Sequence, residues 1–242
     1  MQTQISFYDL NFESYGKTLD NVIKFPSKKS AEASEIKKSF EPKPKPKPAD
    51  SVKTLEEIEK IKKYFLDKRE YRNYCLFIIG ITTGYRISDL LSLKFSDLFD
   101  NYYSYKREID IIEQKTKKRR TMPISDGIKT AINLYLKNKG GFLLNEYLFQ
   151  SRKGQNSPID KSSARKIFNN MAIDLNLPYH CSTHFLRKTF AYWFLQIHNN
   201  DMSALATLQD ILNHSSEKMT LKYCGIEKEK KEIMLKSVSQ LW

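Results

Sequence analysis

Residues 107–124 read REIDIIEQKTKKRRTMPI, and here the chain changes period. β-Branched residues surround a basic run, Lys115-Thr116-Lys117-Lys118, and Pro123 closes the second arm. A short basic turn between two such arms reads as a β-hairpin. On either side of it the apolar residues recur at helical spacing. Upstream, SVKTLEEIEKIKKYFLDK (51–68) places Leu55, Ile58, Ile61, Tyr64 and Phe65 on one helical face. YCLFIIGITTG (74–84) reads as a buried apolar helix that stops at Gly84, and YRISDLLSLKFSDL (85–98) starts another. Downstream, DGIKTAINLYLKN (126–138), KSSARKIFNNMAIDLNL (161–177), STHFLRKTFAYWFLQIH (182–198) and SALATLQDILNH (203–214) each read as helices. The end, KEKKEIMLKSVSQLW (228–242), predicts an amphipathic helix carrying Ile233, Met234, Val238 and Leu241. The fold class expected is therefore mainly α with one small antiparallel β-sheet, an α+β domain. No internal repeat is evident.

The first 50 residues have a different character. Their alternating lysines and prolines in EPKPKPKPAD (41–50) favour extended polyproline II, because proline removes backbone donors and fixes φ. Residues 1–50 read as a flexible arm ending in a semi-stiff linker, and 51–242 as the folded domain. ISFYDLNF (5–12) is an apolar island in that arm, readable as a docking peptide or as nothing.

The chain has 242 residues and a formal net charge of +13. The arm holds nine lysines against seven acidic residues, so +11 of that charge falls on residues 51–242. Such a surface points to an anionic partner: nucleic acid first, since each neutralised phosphate releases counterions, and an anionic membrane surface second. No run approaches the roughly 18 apolar residues of a membrane span, and the start of the chain lacks the basic and apolar regions of a secretory signal. The three cysteines, Cys75, Cys181 and Cys224, form neither a disulfide framework nor a metal-ligand pair. They read as reduced thiols of a cytoplasmic protein.

Several polar residues could contact phosphate, and each alone has an ordinary explanation. Arg86 follows a glycine and opens a helix, where free amides and the helix dipole favour anions; it could equally pair with Asp89 one turn on. Lys115 lies in the hairpin turn, one solvated charge among its neighbours. His184 and Arg187 stand at i and i+3, the spacing of one helical face. His214 ends a helix, and Tyr223, nine residues later, reads as either a half-buried aromatic or a nucleophile.

The order and spacing of these residues resembles the tyrosine recombinases: phage integrases, Xer-like resolvases and transposon integrases. TTGYRISDLLSLKFSDL, KTKKRRTMPI, STHFLRKTFAYWF and LNHSSEKMTLKYCGI carry the resemblance, which covers residues 51–242. It implies a DNA strand transferase that works through a 3′-phosphotyrosyl link, with no metal, ATP or other cofactor. Tyr223 would be the nucleophile. Arg86 and Arg187 would clamp the phosphate, His214 would donate a hydrogen bond to it, Lys115 would protonate the leaving oxygen, and His184 would help accept the tyrosine proton or order the site. Lys117, Lys118, Arg119, Arg120 and Lys188 are the expected DNA contacts. The resemblance also implies double-stranded DNA as partner, a homotetramer on two duplexes with residues 224–242 packing in trans, and a bacterial or phage-borne, DNA-associated protein. Two departures stand out. Asn213 replaces the glycine that many members carry before the second histidine, and the arm does not look like the helical domain that closes the usual clamp, so an accessory DNA-binding protein is one way to supply it. A regulatory DNA-binding module on the same fold and a type IB topoisomerase-like relaxing enzyme are the alternatives.

Overall fold

The computed structural model describes residues 51–224 apart from 103 and 200, together with 235–236. The arm, residues 1–50, and the four apolar positions expected on the terminal helix, with its packing in trans, lie outside the described residues. In chain order the elements are α1 (Leu55–Asp67), α2 (Tyr71–Thr83), α3 (Ile87–Leu91), a 3-10 turn (Phe95–Asp97), β1 (Glu108–Ile112), β2 (Arg119–Pro123), α4 (Asp126–Lys139), α5 (Lys161–Asp174), α6 (Phe185–Ile197), α7 (Met202–Leu212) and α8 (Glu217–Cys224).

Local chemistry sets most of these ends. The side chains of Thr54, Ser125, Asp160 and Asp201 each accept from a backbone amide in the first turn of α1, α4, α5 and α7, which satisfies donors the helix cannot. α2 is apolar nearly all round, with nine of its residues buried, so it runs through the centre of the molecule and packs against α1, α4 and α6. It stops at Gly84, whose φ of 59° is left-handed. That position needs glycine twice over, because a Cβ there would come 2.3 Å from Cδ1 of Phe190 on α6.

Two expectations change in detail. Leu55 is 65% exposed, while Val52, just ahead of α1, is fully buried. Val52 is the residue that seals the start of the domain: its amide donates to Thr189 Oγ1 and its carbonyl accepts from Trp193 Nε1. The helix expected from residue 85 lasts five residues, Ile87–Leu91. Ser92 Oγ donates to the carbonyl of Asp89 and Asp97 accepts from the amide of Lys94, so side chains satisfy backbone groups that a continuing helix would use.

β1 and β2 pair antiparallel, with Ile109 opposite Met122 and Ile111 opposite Arg120. Most apolar side chains join one core around α1, α2, α4, α5 and the start of α6, where the rings of Phe65, Phe77, Phe168 and Phe185 contact one another. A second, smaller cluster lies under α7 and α8: Phe190, Ala191, Leu195, Ala204, Leu205, Leu208, Leu212 and Cys224. The three cysteines are buried and unpaired, as reduced thiols.

Candidate active site

The six residues come from four separate parts of the chain, and the fold gathers them along the seam between the two cores. Arg86 caps the N-terminus of α3, just past Gly84. Arg187 lies one turn into α6 and is buried, 3% exposed. Its guanidinium donates to the carbonyl of Gly84 at 2.8 Å and to that of Leu212 at 2.7 Å. Both acceptors sit at helix C-termini, where carbonyls lack partners and the dipole favours a cation. Arg187 therefore ties the end of α2 to the end of α7. Burial, with the charges of Arg120 and Arg86 adding to it, lowers its pKa to about 10, which still leaves it charged at neutral pH.

His214 follows α7 directly. The helix ends at Leu212, and Asn213 takes the left-handed conformation (φ 49°, ψ 45°) that asparagine tolerates. The His214 amide then donates back to the carbonyl of Gln209, which fixes the ring just beyond the cap. His214 Nδ1 lies 3.0 Å from Thr220 Oγ1. The Thr220 hydroxyl also reaches the carbonyl of Ser216 at 3.4 Å, so this contact anchors the imidazole edge to the start of α8. Burial first, then the positive charges of Arg187 and Arg86, hold the His214 pKa down at about 4, so the ring is neutral at pH 7.

Tyr223, on α8, meets His214 edge to face with ring centres 5.1 Å apart. Its hydroxyl oxygen is shielded from solvent and makes no well-formed hydrogen bond among the described residues. Arg187 lies near it and eases ionisation, but burial dominates and pushes the phenol up to about 12. Lys188 Nζ stands 5.8 Å from the centre of the Tyr223 ring. His184 occupies the position before α6 and is exposed, whereas Arg187, three residues on, is buried. Partial desolvation and the cations Arg187, Lys188, Lys115 and Arg86 lower the pKa of His184.

Lys115 sits at the exposed tip of the hairpin. The turn is closed by Lys117, whose φ of 59° is left-handed and whose amide donates to the carbonyl of Glu113. It is pinned to α3 by Asp89, which is buried and accepts from the amide of Gln114 at 2.9 Å. Asp89 is thus engaged with the hairpin, and Arg86 pairs instead with Glu113.

The expected DNA contacts divide. Lys117, Lys118 and Arg119 are exposed on the hairpin, Arg119 paired with Asp110. Arg120 corrects the expectation. It is buried, 7% exposed, and its guanidinium donates to the carbonyls of Thr83 and Gly84 and lies over the ring of Tyr85. Neighbouring residues on a strand face opposite sides, so Arg119 and Arg120 cannot both face outward. The alternation that turns Arg120 inward also turns Glu113 inward, in phase with Ile109 and Ile111, and the sequence reading missed both. A period-two count along the two arms would have found them.

Glu113 is the acidic group that faces three of these cations. Arg86 Nη1 lies 2.5 Å from its Oε2, Arg120 Nη1 3.5 Å and Arg187 Nη1 3.8 Å from its Oε1. Burial alone would raise its carboxyl. The Thr116 hydroxyl and the Arg86 and Arg187 charges more than offset that and hold it below the usual carboxylate range. Among the described residues no group of three or more His, Cys, Asp or Glu side chains is placed to hold a metal ion, and no helix is long and apolar enough to cross a membrane. The arrangement can present two guanidiniums and a neutral imidazole to one anion, with a phenol beside them.

Residues 51–230 match the model of the phage integrase family. A probable integrase/recombinase, YoeC, of Bacillus subtilis (strain 168) is 38% identical over 178 residues, which are 74% of this chain and 90% of that protein. The tyrosine recombinase XerC of Bacillus licheniformis is 29% identical over 164 residues, covering 65% of this chain and 50% of XerC, so the chain spans about half the length of that relative. Among solved structures, the Tn1549 transposon integrase in complex with transposon right end DNA superposes with a TM-score of 0.57 at 22% identity, covering 78% of this chain and 68% of the integrase chain. At that identity the likeness speaks for the fold, a tyrosine recombinase catalytic-domain fold of helices with one small antiparallel sheet.

Proposed function

The chain belongs to the phage integrase family, and on that premise we propose that it cuts and rejoins double-stranded DNA as a site-specific tyrosine recombinase. The observation that carries this reading is the convergence of Arg86, Arg187, His214 and Tyr223 on one seam, with both arginines within 4 Å of a single buried carboxylate. A scissile phosphodiester bound there meets two fork-shaped cations. Tyr223 Oη attacks phosphorus, a P–O bond forms to the tyrosine, and the bond to the 5′-oxygen breaks. His184 takes the phenolic proton and Lys115 returns one to the departing 5′-oxygen, so the step conserves charge and bond energy and the reverse step reseals the strand. Arg86, Arg187 and His214 stabilise charge on the non-bridging oxygens. Because the phenol of the unliganded protein is pushed up to about 12, proton removal belongs to the attack itself and not to a resting phenolate.

Lys117, Lys118, Arg119 and Lys188 supply backbone contacts around this centre. Residues 51–242 form the catalytic domain and residues 1–50 its arm. The working form in this reading is a homotetramer on two duplexes, bacterial or phage-borne and cytoplasmic, with the segment after Tyr223 docking in trans and an accessory DNA-binding protein as one way to close the clamp.

The test is covalent trapping on nicked duplexes tiled across the DNA flanking the coding sequence. Wild type should give a slow, protease-sensitive band on a denaturing gel, and Tyr223→Phe should give none while still binding DNA. Covalent product from Tyr223→Phe, or binding by both proteins with no covalent product from either, would defeat the proposal.

A further inference from the structure

Glu113 lies outside the set of residues that would touch DNA, yet it faces both arginines of the site. Its side chain is fully buried. Oε2 accepts from Thr116 Oγ1 at 2.5 Å and from Asn213 Nδ2 at 3.1 Å, and it lies 2.5 Å from Arg86. Oε1 makes no hydrogen bond and faces Arg120 and Arg187 at 3.5 and 3.8 Å. These five partners come from the start of α3, the hairpin turn, β2, α6 and the cap of α7. One carboxylate therefore links the turn that carries Lys115, the cap that precedes His214, and both phosphate-facing arginines.

Three guanidiniums held this close in a poorly solvated pocket repel one another, and repulsion of that kind grows as the local dielectric falls. A single buried anion sets their spacing while leaving the cluster a net positive charge for a phosphate. The long contacts at Oε1 leave N–H donors of Arg187 uncommitted beyond its two carbonyl partners. Asn213 adds a second role to its left-handed backbone: its amide reaches the same oxygen that holds Arg86.

We propose that Glu113, with Asn213 as its partner, is the positioning residue of this site: its buried carboxylate sets the spacing of Arg86 and Arg187 and ties the Lys115 turn to the His214 loop. This inference rests on the strand-transfer reading above.

Glu113→Gln keeps the volume and removes the charge, turning an amide toward guanidinium donors. With saturating nicked duplex, the single-turnover rate constant for covalent product should fall by about 10²-fold. DNA affinity should stay the same or tighten, since a negative charge near the phosphate is lost. A merely structural role gives the opposite split: product amplitude and DNA binding fall together as the folded fraction falls, while the rate constant of the remaining folded protein is unchanged. Asn213→Gly keeps the positive φ and deletes only the link to Oε2, so it carries the test should Glu113→Gln fail to fold; its rate constant should fall by roughly three- to tenfold, as befits one lost hydrogen bond. Wild-type rate constants in both variants, or the structural split in both, would overturn the assignment. No covalent product from the wild type on any duplex would defeat the strand-transfer reading first, and this inference with it.

Discussion

The two sides of the active-site seam are built differently. The arginine side is braced by both cores: Arg187 spans the ends of α2 and α7 through bonds of 2.8 and 2.7 Å, and the Gly84 backbone that receives it is pressed against Phe190 of the second cluster. The nucleophile side rests on the smaller cluster under α7 and α8 alone, with Met202 and Met219 exposed on its outer faces. There the Tyr223 hydroxyl has Arg187 beside it but makes no well-formed hydrogen bond among the described residues. The contrast fits the chemistry. Cations that stabilise a transition state act best when already in place, whereas an attacking group must still move into line. A small cluster buries less apolar surface and opens at lower free energy than a large one.

The sharpest way to break this contrast is at its joint. Arg187→Lys keeps a charge but cannot span the carbonyls of Gly84 and Leu212 together, and its ammonium lacks the planar fork. Cleavage should fall by about 10²–10³-fold at saturating DNA, read as the rate of covalent product. A lysine variant within tenfold of wild type would mean that point charge alone suffices and that the bridge between helix ends is incidental.

A smaller effect compares the two cores. Gly84→Ala forces a Cβ into Phe190 and an L side chain into left-handed backbone, at a cost of about 2–5 kcal/mol in unfolding free energy. Leu208→Ala should cost a similar roughly 2–5 kcal/mol by leaving a cavity, but at a different place. Hydrogen exchange separates them: Leu208→Ala should raise exchange in α7 and α8 while α2 stays protected, and Gly84→Ala should loosen α2 and α6 together. Uniform loss of protection in both variants would show the two cores to be one cooperative unit.

The smallest effect is in acid. The folded-state pKa of His214 is about 4 against an ordinary value of 6.5. Between those values the unfolded chain binds a proton that the folded one refuses, so stability declines as pH falls from 6.5 toward 4. His184, lowered in the same direction, adds to the decline. Denaturant titrations at pH 7 and pH 4.5 should show this loss in wild type and a smaller one in His214→Gln. An equal loss in both proteins would place the acid sensitivity elsewhere.

The course of the chain was legible to within a few residues because its signals are local. Thr54, Ser125, Asp160 and Asp201 mark helix starts, Gly84 marks a stop, and the change of period at residues 107–124 marks the hairpin. Leu55 escaped that reading because the periodicity names a face without saying how far the body beneath it extends. The short α3 escaped it because Ser92 and Asp97 spend their side chains on the backbone.

For the site, sequence alone determined which residue types stand in which order: Arg86, Lys115, His184 with Arg187, His214, and Tyr223 nine residues on. It also determined that Asn213 could hold a left-handed cap. Only the tertiary structure decided which charges are buried. Arg120 sits in a run of basic residues that looks uniformly solvated, and Glu113 looks like one more acid beside them. Strand alternation turns both inward, and the packing of the hairpin on the end of α2 then gives them partners that lie 27 to 100 residues away in the chain. The energy of a buried charge depends on those distant partners and on the water they displace, and neither is written in any local stretch of sequence.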